Sequence, residues 1–255
     1  MKILHSKIIG QDKPLLILHG LLGMGDNWIT LARQYVGAGF EVHLIDQRNH
    51  GKSFHDDEMS YEVLVDDLYR YLQMHRIEKF DLLGHSMGGK TAMFFALQYP
   101  ELLNKLIVVD IAPKAYPPHH HFIFDTINKI DLLRFHSRRE VEKFVLQFID
   151  SKAIVRFILK NLGRDARGHF KWKANMPVLE ASLGELGEAL PALQESPVPA
   201  LFIKGAQSSY ILPEDFALIK AHFPNSKIIT IPQSGHWVHA EQPAAFFEKT
   251  LAFLT

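Results

Sequence analysis

Residues 84–91 read GHSMGGKT, and two different chemistries fit that one octapeptide. It satisfies G-x-x-x-x-G-K-[ST], a loop whose backbone N–H groups cradle phosphate, with Lys90 reaching the β/γ oxygens and Thr91 binding magnesium. It also satisfies G-x-S-x-G, a sharp strand-to-helix turn that exposes a nucleophilic serine, here Ser86. The two loops fold differently, so the segment serves only one of them. A phosphate loop would take Asp110, at the end of LIVVD, as its magnesium holder. That aspartate follows Thr91 by only 19 residues (110 − 91), and the octapeptide itself follows two complete strand–helix patterns. Phosphate binding also leaves LHGLLG (18–23) and SGHW (234–237) without a role. The serine chemistry uses both.

Acyl transfer at a serine needs a base, and it needs donors aimed where negative charge develops. LHGLLG ends a strand in a glycine-bearing turn, so the backbone N–H of Leu21 can face inward; the N–H of Met87, just after the serine, is the second donor. Gly84, Gly88 and Gly89 are small where strand and helix must pack closely. The base is expected late in the chain, and SGHWVHAEQP places His236 behind a glycine that lets the loop approach the serine. His239 is the rival and suits packing against the final helix better. For the acid, Asp110 ends the strand after the nucleophile strand, whereas Glu214 and Asp215 sit in PED, good first-turn chemistry for a helix.

These groups need a scaffold. Apolar runs at 14–20, 40–46, 80–84, 105–110, 199–205 and 226–232 predict strands. Helical patterns at 27–39, 61–75, 88–100, 213–223 and 242–254 alternate with them; Leu64, Leu68 and Leu72 share one helix face. Continuous Val/Ile/Leu strands covered by helices predict an α/β fold with a mostly parallel central sheet. Between 113 and 196 the alternation stops: helix-like stretches and the turn-rich GRDARGH appear, with no strand run. The expected organisation is a core of residues 1–112 and 197–255, interrupted by a helical cap, or lid, at 113–196.

Taken together, LHGLLG, DQRNHGKS, GHSMGGKTA, VVDIAP and SGHWVHAEQP resemble the α/β-hydrolase superfamily, and within it the small bacterial YbfF-type esterases. The resemblance runs from about residue 3 to the C-terminus and is weakest across 113–196. It implies a Ser86–His236–Asp110 triad, because that branch uses the aspartate of DIAP, with Leu21 and Met87 as oxyanion donors. The implied activity is hydrolysis of carboxylic esters or thioesters, of short to medium acyl length and possibly acyl-CoA, with no cofactor and no metal. Carbon–carbon bond hydrolysis, lyase or acyltransferase chemistry, or slow-turnover ligand reception, share the same residues and remain alternatives.

Composition narrows the partners. The 255 residues carry 28 basic and 28 acidic side chains and no cysteine. Balanced charge speaks against a nucleic-acid groove, and the missing thiols exclude disulfides and Cys-based metal sites. No stretch reads as a signal peptide or membrane span, so a cytoplasmic enzyme acting on a small molecule is expected. In DQRNHG, Asp46, Arg48 and His50 are expected to knit loops together. The histidines of PPHHHF (117–122) suit a solvated loop at the lid entry better than a metal site. GLLGMG (20–25) is not a dinucleotide fingerprint. The Phe-rich stretches RFHSRREVEKFVLQFID (134–150) and IVRFILKNL (154–162) are expected mostly to pack the lid, with some of their aromatics lining a substrate slot, and Trp172 fits either place. Lys90, with no phosphate to hold, is expected to be dispensable for activity.

Overall fold

In the computed structural model, which describes residues 2–118 and 120–255, apolar residues alternate across each strand, so that one sheet carries two cores. Leu16 and Leu18 of β2 (Lys13–Leu18) face one side, and Leu15 and Ile17 the other. The same alternation splits Leu82 from Leu83 in β4 (Phe80–His85), and Leu106 and Val108 from Ile107 and Val109 in β5 (Leu103–Val109). A strand buried on both faces must be apolar throughout, which is why these segments read as continuous runs.

The seven-stranded sheet has the order β1-β3-β2-β4-β5-β8-β9, completed by β1 (Ser6–Ile9), β3 (Phe40–Ile45), β8 (Ala200–Gly205) and β9 (Ser226–Ile231). Every pairing is parallel except β1 with β3. On one face, α1 (Ile29–Gly37) and α10 (Pro243–Leu254) pack against the sheet through Tyr35 and Phe246. On the other lie α2 (Tyr61–His75), α3 (Met87–Gln98) and α8 (Phe216–His222), through Leu68, Phe95 and Ile219. Leu64, Leu68 and Leu72 of α2 are all buried, as their spacing predicts. Its first turn is capped by Ser60, whose hydroxyl accepts from the Val63 N–H. The short α9 (Val238–Glu241) precedes α10.

Two elements depart from the sequence expectation. The edge strand β1 was not anticipated: it is four residues long and carries Lys7 at its centre, features that blunt an edge and also erase its pattern. Between β5 and β8, the helices α4 (His121–Asn128), α5 (Arg138–Val145), α6 (Lys152–Leu159) and α7 (Met176–Ala181) are joined by an antiparallel hairpin, β6 (Leu162–Arg164) with β7 (Phe170–Trp172). GRDARGH is its turn, with Gly168 in the left-handed region at φ +85°. Three-residue strands are too short to show period-two alternation, so only the turn was legible. This inserted segment has its own apolar cluster, including Phe124, Val141, Val155 and Leu179, which also touches Leu22, Tyr61 and Met87 of the core.

Candidate active site

Ser86 stands between β4 and α3 at φ +53°, ψ −119°, a conformation that side-chain-bearing residues rarely adopt. The bend is enforced by contact. A Cβ on Gly84 would lie 2.2 Å from the Gly88 carbonyl oxygen, and one on Gly88 would lie 2.5 Å from the carbonyls of Leu18 and His19. The strand before the serine and the helix after it therefore meet backbone to backbone. The Ser86 N–H donates to Val109 O at 3.0 Å, tying the turn to the neighbouring strand.

Asp110 follows that neighbouring strand, also at positive φ (+53°), and is completely buried. Its carboxylate accepts from the Gly205 N–H at 3.0 Å, from the Ser208 hydroxyl and from His236 Nδ1 at 2.8 Å. With Nδ1 carrying the proton, Nε2 of His236 accepts from Ser86 Oγ at 3.0 Å. Ser86, His236 and Asp110 are thus brought together from the C-terminal ends of β4, β9 and β5. Glu214 and Asp215 are not: Glu214 is exposed, and Asp215 accepts from Lys114 Nζ and from the Leu212 N–H. His239 lies apart, stacked on Trp28 with ring centroids 3.9 Å apart.

Several neighbours of this trio escaped the sequence reading. Ser208 lies in AQSSY, a loop with no carboxylate and no local pattern to mark a hydroxyl that reaches Asp110. Tyr210 stacks on the His236 ring (3.9 Å, 18°), and its carbonyl accepts from the Tyr116 hydroxyl. His85 donates from Nε2 to the His236 carbonyl at 2.8 Å, fixing the base from its main chain; burial holds the His85 pKa well below its ordinary value of 6.5.

Leu21 and Met87 line the same small cavity as Ser86, about 50 Å³ in volume. The turn bearing Leu21 is held by the DQRNHG loop. His50 Nε2 accepts from the Leu22 N–H at 3.1 Å, and its Nδ1 donates to Arg48 O at 2.8 Å. His19 Nε2 accepts from the Gln47 N–H at 3.0 Å, and the Gln47 amide donates to His19 O at 2.7 Å. Burial keeps both rings neutral, lowering His19 to about 4 and His50 to about 3. Asp46 accepts from the Gly25 and Lys52 amides, and Arg48 forms a two-pronged bond to Asp67. The inserted segment adds Asn161, which donates to Leu22 O at 2.6 Å.

The cavity wall differs from expectation in its aromatics. Tyr61, Tyr116 and Tyr210 line it, whereas Phe135, Phe144 and Phe157 pack against the inserted segment's own cluster. Trp172 also joins that cluster and lines a separate cavity of about 470 Å³ between β3 and the hairpin. Of the histidine run, His119 lies outside the described residues, and His120 lines the Ser86 cavity with Nε2 3.5 Å from the Tyr210 hydroxyl. Among the described residues no group of three or more His, Cys, Asp or Glu could hold a metal ion, and no helix is long and apolar enough to cross a membrane.

A parallel sheet with a strained serine turn, a late histidine and a carboxylate on adjoining strand ends defines the class of α/β hydrolases. The chain belongs to that family: residues 13–243 match its description as the alpha/beta hydrolase fold. It is 38% identical over 249 residues to an sn-1-specific diacylglycerol lipase ABHD11 of Xenopus tropicalis, covering 94% of this chain and 77% of that one. It is 32% identical over 247 residues to esterase YbfF of Escherichia coli K12, covering 96% and 94%. A solved structure described as a marine microorganism esterase superposes with a TM-score of 0.96 at 42% identity, over 99% of this chain and 100% of that one.

Proposed function

We propose that the protein hydrolyses carboxylic esters through an acyl-enzyme on Ser86. What supports this reading above all is the relay in which Ser86 Oγ meets His236 Nε2 at 3.0 Å while His236 Nδ1 meets Asp110 at 2.8 Å. His236 takes the serine proton as Oγ attacks the carbonyl carbon. The Leu21 and Met87 amides receive the developing oxyanion, and Asp110 holds the ring tautomer and stabilises the imidazolium. The protonated His236 then gives its proton to the leaving alcohol, and water activated by the same nitrogen releases the acid. Thioesters pass through the same steps with a thiol leaving. The inserted segment acts as a cap that adds Tyr116 to the wall of the acyl site, beside Tyr61 and Tyr210 of the core. A cavity of about 50 Å³, where one water needs roughly 10–15 Å³ on the same measure, favours short acyl groups.

Labelling with a fluorophosphonate and mapping the modified peptide tests the assignment. The label is expected on Ser86. Ser86→Ala is expected to remain folded, take no label and lose turnover of p-nitrophenyl acetate. A folded variant that still turns over this ester would remove Ser86 from the mechanism.

A further inference from the structure

Lys90 is a buried titratable group for which the acyl-transfer chemistry has no use, yet its side chain is fully engaged. Its side chain is fully buried one turn after the serine, with its N–H donating to Ser86 O at 2.9 Å. The ammonium donates to the carbonyl of Lys114 at 2.8 Å and to the carbonyl of Glu188. Those two carbonyls lie at opposite ends of the inserted segment, near its departure from β5 and its return toward β8. The ends also pair with each other: Tyr116 N–H donates to Gly187 O at 2.7 Å, and Leu190 N–H to Pro113 O at 2.8 Å. One amine therefore pins both strands of this neck to the nucleophile helix.

The neck is also the wall of the acyl site. Tyr116 and Gly187 line the cavity at Ser86, as does Tyr61, whose hydroxyl donates to Leu186 O at 2.7 Å. The Lys90 ammonium lies behind these rings, 5.1 Å from the centroid of Tyr116 and 5.8 Å from that of Tyr61. Burying a charge among apolar groups is unfavourable unless its donors are used, and here the carbonyls of Lys114 and Glu188 take two of them. The burial itself lowers the Lys90 pKa to about 7, opposed by the Glu188 charge.

We propose that Lys90 is a positioning residue that sets acyl specificity: by clamping the Lys114 and Glu188 carbonyls to α3 it holds the neck over Ser86 and keeps the acyl cavity narrow. The specificity part rests on the esterase reading; the clamp itself does not. Lys90→Met matches the length of the side chain and donates nothing, whereas Lys90→Gln keeps an amide donor. Without the clamp the neck moves outward, so the ratio of kcat/KM for p-nitrophenyl octanoate over acetate is expected to rise about tenfold in K90M, and less in K90Q. Hydrogen exchange of the Tyr116 and Leu190 amides is expected to quicken in the same order, while the interior of α3 is unchanged. Equal loss on both esters with an unchanged ratio would make Lys90 merely structural and overturn its role in specificity. If the wild type hydrolyses neither ester, the esterase reading falls, and exchange at the two neck amides still decides the clamp: unchanged protection in the variants refutes it. Should neither variant fold, the wild type suffices, because the clamp requires its neck amides to exchange as slowly as those of α3, and rapid exchange there rejects it.

Discussion

At the residue scale, Asp110 bears more than its partnership with His236. Its two oxygens take three donors in a site closed to water, so the carboxylate is held rigidly and the imidazole orients against it. Asp110→Asn is expected to lower turnover by about 10⁴, as loss of a triad aspartate does elsewhere, because the amide favours the wrong ring tautomer. Asp215→Asn is expected to leave kcat nearly unchanged, since its partners are Lys114 and a helix start rather than the base. The two variants, assayed side by side with p-nitrophenyl acetate, separate the assignments; a severe effect confined to Asp215 would move the acid. The choice of Asp110 was legible only through resemblance, because residue order alone allowed Glu214 and Asp215 as well. Ser208 was not legible: a hydroxyl in a loop signals nothing until folding brings it to the carboxylate.

At the scale of elements, the turn after β2 is the part most dependent on its neighbours. Leu22 is held at φ +58°, with its N–H on His50 and its carbonyl on Asn161. DQRNHG thus works as a bracket, and its expected role of knitting loops has a specific object, the turn that presents the Leu21 amide. His50→Ala leaves a buried N–H without its acceptor and loosens that turn. The expected result is a fall in kcat for p-nitrophenyl acetate, bounded by the 10²–10³ that loss of a whole oxyanion donor costs, with KM little changed. An unchanged kcat would mean that the bracket has no bearing on the oxyanion site.

At the scale of the whole molecule, the balanced charge conceals an acid sensitivity. His19, His50, His85 and His239 are buried and neutral; burial lowers the first to about 4, His50 and His239 to about 3, and His85 well below 6.5. In the unfolded chain each takes up a proton near 6.5. Below that pH the unfolded state therefore binds more protons than the native one, so stability rises with pH across this window and is lost as pH falls through it. Each histidine contributes a slope of up to about 1.4 kcal/mol per pH unit. Urea midpoints are expected to drop steeply from pH 6.5 to 4.5. His239→Phe, which keeps a ring on Trp28 and removes one titrating group, is expected to flatten the curve. Parallel curves for the two proteins would refute a contribution from this histidine.

The order of residues determined by itself the sheet strands with long apolar runs, the helix faces and the two local motifs that carry Ser86 and His236. These features are periodic or contiguous, so chain neighbours suffice to specify them. Only the tertiary structure decided which carboxylate meets His236, what braces the Leu22 turn, where the aromatics of 113–196 pack, and that the Lys90 ammonium meets the Lys114 and Glu188 carbonyls. Each of those outcomes joins side chains separated by tens of residues, and no local pattern encodes the distance between them.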